Sequence, residues 1–256
     1  MNAVLRWPMD TLASLGRAVL FLFQTMLAVP GALLRPRLLA LQIYHSGLLS
    51  LAIIVIAGAF VGMVLALQGY RLLVQFSAES ALGVSVALVV IRELGPVLTA
   101  LLLAGRAGSS LAAEIGLMRA TDQLDGISMM AVDPVPRVVA PRFLGLLIAT
   151  PILNMIFIAM ALGVAGGHLV GVEVLGVDAG SYWSQIRSAV DAGDLIDSTI
   201  KSLVFGLTIA WIAVYQGYHA APTAAGVSRA TTTTVVLSSL SVLGLDFVLT
   251  AAMFAA

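Results

Sequence analysis

Five long apolar runs dominate the pattern of hydrophobic and polar positions along this chain. They occupy residues 48–67, 81–107, 143–172, 195–215 and 232–254. An α-helix needs ~20 apolar residues to cross a bilayer. The pattern therefore predicts five transmembrane helices in an all-α integral membrane protein, with residues 1–256 forming a single membrane domain.

Residues 10–29 form a further apolar stretch of a different kind. Ser14, Arg17, Gln24 and Thr25 recur at helical spacing near one face, and apolar side chains fill the remaining surface. A helix with such a polar face lies in the plane of the membrane interface. We predict an interfacial amphipathic helix here. The alternative is a sixth span, which Arg17 near the middle of the stretch disfavours.

The segment 114–132, between the second and third spans, alternates apolar with polar side chains. This pattern predicts short amphipathic helices that end at Asp133-Pro134. Such a segment either rests on the membrane surface or docks into a groove of a cytoplasmic partner. Its polar face is rich in acidic residues, which disfavours an anionic surface, and the neighbouring Met129 and Met130 suit an adaptable protein contact. The residues alone leave both alternatives open.

A charged couple, Arg92-Glu93, lies in the middle of the second apolar run. Ionised side chains at bilayer depth are costly, so they usually face a protein interior or a water-filled path. Pro96 follows four residues after Arg92, removes one helical hydrogen bond and predicts a bend at this point. A bent helix with charges at the bend indicates a transport route more than a simple anchor.

Adjacent residues point about 100° apart on a helix, so Arg92 and Glu93 each need a partner elsewhere. Arg92 suits a phosphate or carboxylate, and Glu93 could meet Lys201, the only lysine in the chain. The alternative is an ion pair between helices that only fixes their packing. Asp197 could instead pair with Lys201 along one helix. Asp246, in the fifth span, suits a polar contact in the bundle or a proton relay.

Composition sets the class of protein and excludes several functions. Hydrophobic residues make up 60% of the chain and charged residues 10%, with zero formal net charge and no cysteine. The mean hydropathy is +1.06. Disulfides and thiolate chemistry are therefore excluded, and the sequence has neither a P-loop lysine signature nor a histidine pair spaced for zinc. Gly108-Ser109-Ser110 is a weak match to an intramembrane serine protease, because no histidine is placed to act as its base.

Basic residues predict the orientation of the spans. Most of the arginines precede the first span or lie between spans two and three or four and five: Arg6, Arg17, Arg35, Arg37, Arg106, Arg119, Arg137, Arg142 and Arg229. These segments share one side, which we predict to be cytoplasmic. The N-terminus is then cytoplasmic, and five spans leave the C-terminus on the outer side.

Glycines at four-residue spacing mark two of the predicted spans. Gly58 and Gly62 lie in the first, and Gly163, Gly167 and Gly171 lie in the third. This spacing allows close approach of neighbouring helices, although glycine is frequent in membrane helices generally. The glycines support a packed bundle without identifying a site.

Four stretches of the chain carry a resemblance to a known family. They are GAFVGMVLALQGY at 58–70, the long block from IRELGPVLTALLLAGRAGSS to MMAVDP at 91–134, PRF at 141–143, and GVSRATTTTVVLSSLSVLGLDFVLTA at 226–251. With these stretches the chain closely resembles the MlaE-type permeases of bacterial ABC phospholipid transporters. The similarity extends over nearly the whole chain beyond the N-terminal helix.

The resemblance implies an assembly in the bacterial inner membrane. Two copies would form its core, with a separate cytoplasmic ATPase that binds ATP and magnesium, a STAS-domain subunit and a periplasmic ring of MCE domains. No cofactor in this chain and no nucleic-acid partner are expected. The segment 114–132 would be the coupling helix that docks into the ATPase, with contacts from Glu114, Met118, Arg119, Asp122, Leu124, Asp125, Met129 and Met130.

The same resemblance places a lipid pocket between the two copies, open toward the MCE ring. By position it would be lined by Leu65, Leu72, Leu73 and Phe76, with Arg92 and Glu93 beside it. The expected function is ATP-driven transport of glycerophospholipid between inner and outer membrane, retrograde and in support of outer-membrane lipid asymmetry. The alternatives are a proton-coupled transporter or channel that uses Glu93 or Asp246, and a structural subunit without substrate contact.

Overall fold

The computed structural model describes residues 3–163 and 166–255, and their regular structure is entirely helical. The α-helices are α1 (Ala3–Leu33), α2 (Pro36–Ser46), α3 (Leu51–Val74), α4 (Leu82–Val89), α5 (Gly95–Leu103), α6 (Ser109–Ala120), α7 (Gln123–Met129), α8 (Ala140–Leu162), α9 (Ala179–Ala189), α10 (Ala192–Tyr218) and α11 (Ala224–Ala255). Short 3₁₀ turns occur at Leu48–Ser50 and Glu79–Ala81. Wider π-helical turns occur at Val90–Leu94, Ala104–Gly108, Val135–Val139 and Leu169–Val174.

Six helical stretches of the described chain are long and apolar enough to cross a membrane. They are Leu15–Leu33, Pro36–Val74, Glu79–Ala120, Val135–Leu162, Ala192–Tyr218 and Ala224–Met253. Five of them contain or overlap the predicted spans. The additional one falls on the predicted interfacial helix, which extends beyond residues 10–29 at both ends. The interfacial position of α1 stays a prediction, because length and composition also allow a span.

The predicted third span, residues 143–172, is wrong as a single helix. Helix α8 ends at Leu162, because Gly163 leaves the helical conformation with ψ −172°. Helical structure returns in the π turn Leu169–Val174. Glycine has low helix propensity, and the glycine-rich stretch that follows Leu162 is a point where a helix can stop. Hydropathy could not locate this break, since glycine does not interrupt an apolar run.

Helix α8 lies at the centre of the bundle and packs on α2, α3 and α10. Glycines set its distance to α3, as the four-residue spacing indicated. A Cβ on Gly62 would collide with the carbonyl oxygen of Ala161, and one on Gly58 would lie 2.8 Å from the carbonyl oxygen of Phe157. Backbone atoms of α8 therefore lie where a side chain of α3 would be.

Two groups of contacts order the ends of the bundle. At one end, α6 approaches the connection between α10 and α11, where a Cβ on Gly116 would lie 3.5 Å from side chains of Ala220 and Val227. At the other end, α9 packs on α4. There the Tyr182 hydroxyl donates a hydrogen bond of 3.2 Å to the carbonyl oxygen of Leu162, at the broken end of α8.

Candidate functional site

The charged couple Arg92-Glu93 lies on the π-helical turn Val90–Leu94, directly before Pro96. Pro96 has no N–H to donate to the carbonyl oxygen of Arg92, and its ring would clash with that oxygen in a regular α-helix. The structure widens the helix at this point by one π turn, and the predicted bend stays a prediction. Such turns are rare and occur often at functional sites.

Lys201 of α10 binds this turn from across the bundle. Its ammonium donates to the carboxylate of Glu93 at 2.9 Å, to the carbonyl oxygen of Arg92 at 2.8 Å and to the hydroxyl of Thr250 at 2.7 Å. An ammonium has three N–H donors, so all of them are used. The lysine side chain is 3% exposed. It therefore satisfies the carbonyl that Pro96 leaves without a partner and, at the same time, neutralises Glu93.

The expected pair between Asp197 and Lys201 does not form, because the Lys201 ammonium is fully occupied by the partners above. Its second carboxylate neighbour is Asp246 of α11, whose Oδ1 lies 3.6 Å from the lysine Nζ. That oxygen is buried and has no hydrogen-bond partner among the described residues. Asp246 thus makes the polar contact inside the bundle that the sequence indicated.

Arg92 pairs with Asp194, a contact that the sequence did not indicate. The Arg92 Nε atom donates to Asp194 at 2.8 Å. The other carboxylate oxygen of Asp194 accepts from the backbone N–H of Asp191 at 3.1 Å, and the two aspartates form a capping box at the start of α10. Among the side chains that the structure describes, none hydrogen-bonds to the terminal nitrogens of Arg92. The arginine side chain is 46% exposed.

These residues surround a pocket of about 220 Å³. Its lining consists of two cations, three carboxylates, a hydroxyl and a thioether: Arg92, Lys201, Glu93, Asp194, Asp197, Thr250 and Met253. Because Lys201 is already fully hydrogen-bonded, the open cationic surface of the pocket is the outer edge of the Arg92 guanidinium. A guanidinium presents paired donors to phosphate or carboxylate oxygens.

Of the four apolar residues expected to line the lipid path, Leu65, Leu72 and Leu73 lie on α3 and Phe76 lies in the turn that follows it, and none of them belongs to the lining of this pocket. Leu72 and Phe76 are 58% and 72% exposed, whereas Leu65 and Leu73 pack partly against the core. The structure of one chain does not bring them into one cavity with Arg92. Further exposed apolar side chains precede them along α3: Ile53, Ile56, Phe60, Val64 and Leu67.

The predicted coupling segment forms the end of α6, a tight turn and α7. Asp122 occupies the turn with a positive φ of 56°, a conformation that aspartate tolerates better than most residues. Met129 and Met130 are 85% and 69% exposed and form an apolar tip after α7. Leu117, which the sequence analysis did not single out, is also exposed.

Other members of the predicted coupling set have partners within the chain. Leu124 is 1% exposed and Met118 packs against the core, so both hold the segment on the bundle. Arg119 pairs with Asp125 at 2.9 Å, and Glu114 lies 3.5 Å from Arg142 at the start of α8. The exposed apolar tip is therefore the part of this segment that is free to enter a groove.

Two residues of the charged cluster escaped the sequence analysis. Asp194 was not singled out as a partner for Arg92, although Asp191-x-x-Asp194 before an apolar run is a recognisable signal for the start of a helix. Thr250 carries no sequence signal beyond its position one turn after Asp246. Within residues 3–163 and 166–255, no cluster of three or more His, Asp or Glu side chains could hold a metal ion.

Comparison with known proteins supplies the family context. The profile of the family described as Permease MlaE matches residues 39–252. An intermembrane phospholipid transport system permease protein of Haemophilus influenzae is 51% identical over 257 aligned positions, covering 100% of this chain and 98% of that protein. A probable ABC transporter permease protein of Rickettsia typhi is 37% identical over 94% of this chain and 92% of its own length. TRIGALACTOSYLDIACYLGLYCEROL 1, a chloroplastic protein of Arabidopsis thaliana, is 32% identical over 83% of this chain and 60% of its own length.

Proposed function

This chain belongs to the MlaE permease family, and on that premise we propose that it is the membrane subunit of an ABC transporter that moves glycerophospholipid between two membranes. The name of the Haemophilus influenzae relative, at 51% identity over the full chain, supports phospholipid as the substrate. The chain is the transport subunit, and ATP hydrolysis belongs to a separate subunit. The lack of a P-loop lysine signature in the sequence is consistent with this division.

The proposed assembly contains two copies of this chain in a bacterial inner membrane. A cytoplasmic ATPase, which carries ATP and magnesium, docks on the α6–α7 segment, accompanied by a STAS-domain subunit. A periplasmic ring of MCE domains receives or delivers the lipid. The exposed Met129 and Met130 support the docking site, since methionine side chains adapt to a groove. In the proposed topology α1 lies in the interface, the N-terminus is cytoplasmic and the C-terminus is periplasmic.

The observation that carries the proposal is the hydrogen bonding of the Arg92 guanidinium. Its guanidinium lies within a long apolar helical run, is fixed at Nε by Asp194, and has its terminal nitrogens open to the pocket. We assign these nitrogens to the lipid phosphate. Acyl chains would lie along α3 at the exposed Leu72, next to Leu65 and Leu73, and against Phe76 in the turn after the helix. Closure of the ATPase dimer would push on 114–132 and shift the spans. Our preferred direction is retrograde, in support of outer-membrane lipid asymmetry.

One observation favours a second candidate, a proton-coupled transporter or channel. The Oδ1 atom of Asp246 is buried without a hydrogen-bond partner among the described residues, beside Glu93 and Lys201. A carboxylate in this position could take up a proton. Proton-driven flux in liposomes that contain this chain alone would support the second candidate and count against the first.

Lipid photocrosslinking in the assembled complex tests the proposed path. A photoreactive phenylalanine derivative replaces Leu72 or Phe76, and a matched control replaces Leu240, which is 63% exposed on α11. We expect labelled phospholipid to crosslink at Leu72 and Phe76 with an intensity that changes when ATP is trapped on the ATPase. Crosslinking of equal intensity at all three positions, unchanged by nucleotide, would mean that the probes contact annular lipid. This result would contradict the proposed lipid path.

A further inference from the structure

A single arginine, Arg106, connects the start of α6, the helix that leads into the docking segment, to the residues that precede α3. Arg106 lies on the π-helical turn Ala104–Gly108, immediately before α6. Its Nη1 atom donates to the backbone carbonyl oxygen of His45 at 2.7 Å and to the hydroxyl of Ser50 at 3.1 Å. These acceptors belong to the connection between α2 and α3, residues 45–50, which we call the elbow.

The elbow is built so that it needs a donor from outside. Helix α2 ends at Ser46, and the last carbonyl groups of a helix have no partner within it. Ser50 is fully buried, and its hydroxyl donates to the carbonyl oxygen of Ser46 while it accepts from Arg106. The positive charge of the guanidinium also suits the negative end of α2. Arg106 thus completes the hydrogen bonding of this helix end.

Little else joins the two elements. Helix α6 packs mainly on α10 and α11, and among the described residues the bonds of Arg106 are the only side-chain hydrogen bonds between the α5–α6 run and the elbow. A small cavity of about 10 Å³ remains between α2 and α6, lined in part by Gln42, His45, Arg106 and Glu114. That volume is near the minimum for one water molecule, about 10–15 Å³, and polar side chains form much of its lining.

The connection joins the two ends of the proposed mechanism. Helix α6 continues through Asp122 into α7, which carries the ATPase docking tip. The elbow continues directly into α3, which carries Leu72 and leads into the turn that carries Phe76. We propose that Arg106 is a positioning residue that makes α3 follow α6 when the ATPase moves the docking segment. This inference rests on the proposed function for the identity of the motor and of the cargo.

The test uses the assembled complex in lipid nanodiscs, with Arg106→Gln as the main variant. Arg137→Gln is the matched control, because Arg137 also lies on a π turn, is exposed, and has no side-chain hydrogen bond or ion pair among the described residues. The chain has no cysteine, so a single introduced cysteine gives one nitroxide per copy. Labels at Thr121, after α6, and at Gln75, after α3, report the distance between the two copies with and without trapped nucleotide.

We expect Arg106→Gln to keep the nucleotide-dependent distance change at Thr121 and to lose it at Gln75. Lipid transferred per ATP hydrolysed should fall about tenfold or more, because the substitution removes both hydrogen bonds of the charged guanidinium. Arg106→Lys should restore part of the distance change at Gln75 and part of the lipid transferred per ATP. Arg137→Gln should alter neither quantity.

Unchanged motion at Gln75 in Arg106→Gln would overturn the proposal, as would an unchanged ratio of lipid to ATP. Ser50→Ala covers the case in which Arg106→Gln fails to assemble, because it keeps Arg106 and removes the hydroxyl that accepts from Arg106 and donates to the carbonyl oxygen of Ser46. If Ser50→Ala kept the full distance change at Gln75 and the full ratio of lipid to ATP, this would likewise count against the proposal. If the unmodified complex transfers no lipid, the proposed function fails, and the label distances still decide whether Arg106 couples the two helices.

Discussion

Removal of the Lys201 ammonium should destabilise the bundle strongly, and Lys201→Met is the variant that tests this. The substitution keeps the apolar stem and deletes three hydrogen bonds of 2.7–2.9 Å. It leaves the Glu93 carboxylate, the Arg92 carbonyl and the Thr250 hydroxyl without their common donor. Breaking a buried ion pair by removing one partner costs about 3–5 kcal/mol.

The structure indicates an expected value at or just below the lower end of that range. Lys201 is 3% exposed, but the Glu93 side chain is 38% exposed and can regain solvation when its partner is lost. We therefore expect Lys201→Met to lower the free energy of unfolding by about 2–3 kcal/mol. The double variant Lys201→Met/Glu93→Gln removes both charges and should recover about half of that loss, as expected for two residues in direct contact.

The assay is reversible unfolding of the purified chain in mixed detergent micelles, followed by circular dichroism. Arg187→Met is the control, because Arg187 is exposed on α9 and has no ion pair among the described residues. It should change the free energy of unfolding by less than about 0.5 kcal/mol. A Lys201→Met variant as stable as the control would refute the reasoning. A double variant as unstable as the sum of the two single variants would refute the direct coupling.

Three further predictions follow from particular contacts. Gly62→Ala should lower the free energy of unfolding by about 1–3 kcal/mol, because the new Cβ collides with Ala161. Gly244→Ala is the control and should not lower it, because nothing lies within 4 Å of its new Cβ. Equal melting temperatures for the two variants would contradict the close α3–α8 packing. Met130→Asp should abolish co-purification of the ATPase without a change in the melting temperature of the chain, and undiminished co-purification would remove the tip from the docking site. Burial raises the pKa of Tyr182 to about 12. The folded chain therefore keeps this proton while the unfolded chain loses it near pH ~10, so stability should fall as the pH rises from about 10 to 12. Tyr182→Phe should reduce that fall, and an identical pH profile would exclude Tyr182 as its source.

Hydropathy predicted the helices because a long apolar run at bilayer length has few other structures open to it. It could not predict the break after Leu162, since glycine keeps an apolar run continuous while it weakens the helix. The π turn at Arg92 could not be predicted from the sequence either. Pro96 indicated that a regular helix cannot continue there, but the sequence does not show that the irregularity is a π turn or that Lys201, from a distant part of the chain, donates to the carbonyl oxygen of Arg92.

The charged cluster shows what a sequence can and cannot specify. Lys201 was considered as a partner for Glu93 because the chain has only one lysine, and the structure places the two groups 2.9 Å apart. Asp194 as the partner of Arg92 could not be predicted. Its spacing from Asp191 indicates the start of a helix, while the residue opposite that start is fixed by tertiary packing alone.

The central claim is that this chain carries phospholipid across or out of a membrane when a partner ATPase hydrolyses ATP. The most direct measurement is transfer of a fluorescent phospholipid between proteoliposomes that contain the assembled complex, including its MCE-domain ring, and acceptor vesicles. We predict transfer that requires ATP, stops with a hydrolysis-deficient ATPase, and falls strongly in Arg92→Gln at unchanged complex yield. Transfer at the same rate without ATP, or no transfer from a complex that hydrolyses ATP normally, would contradict the account.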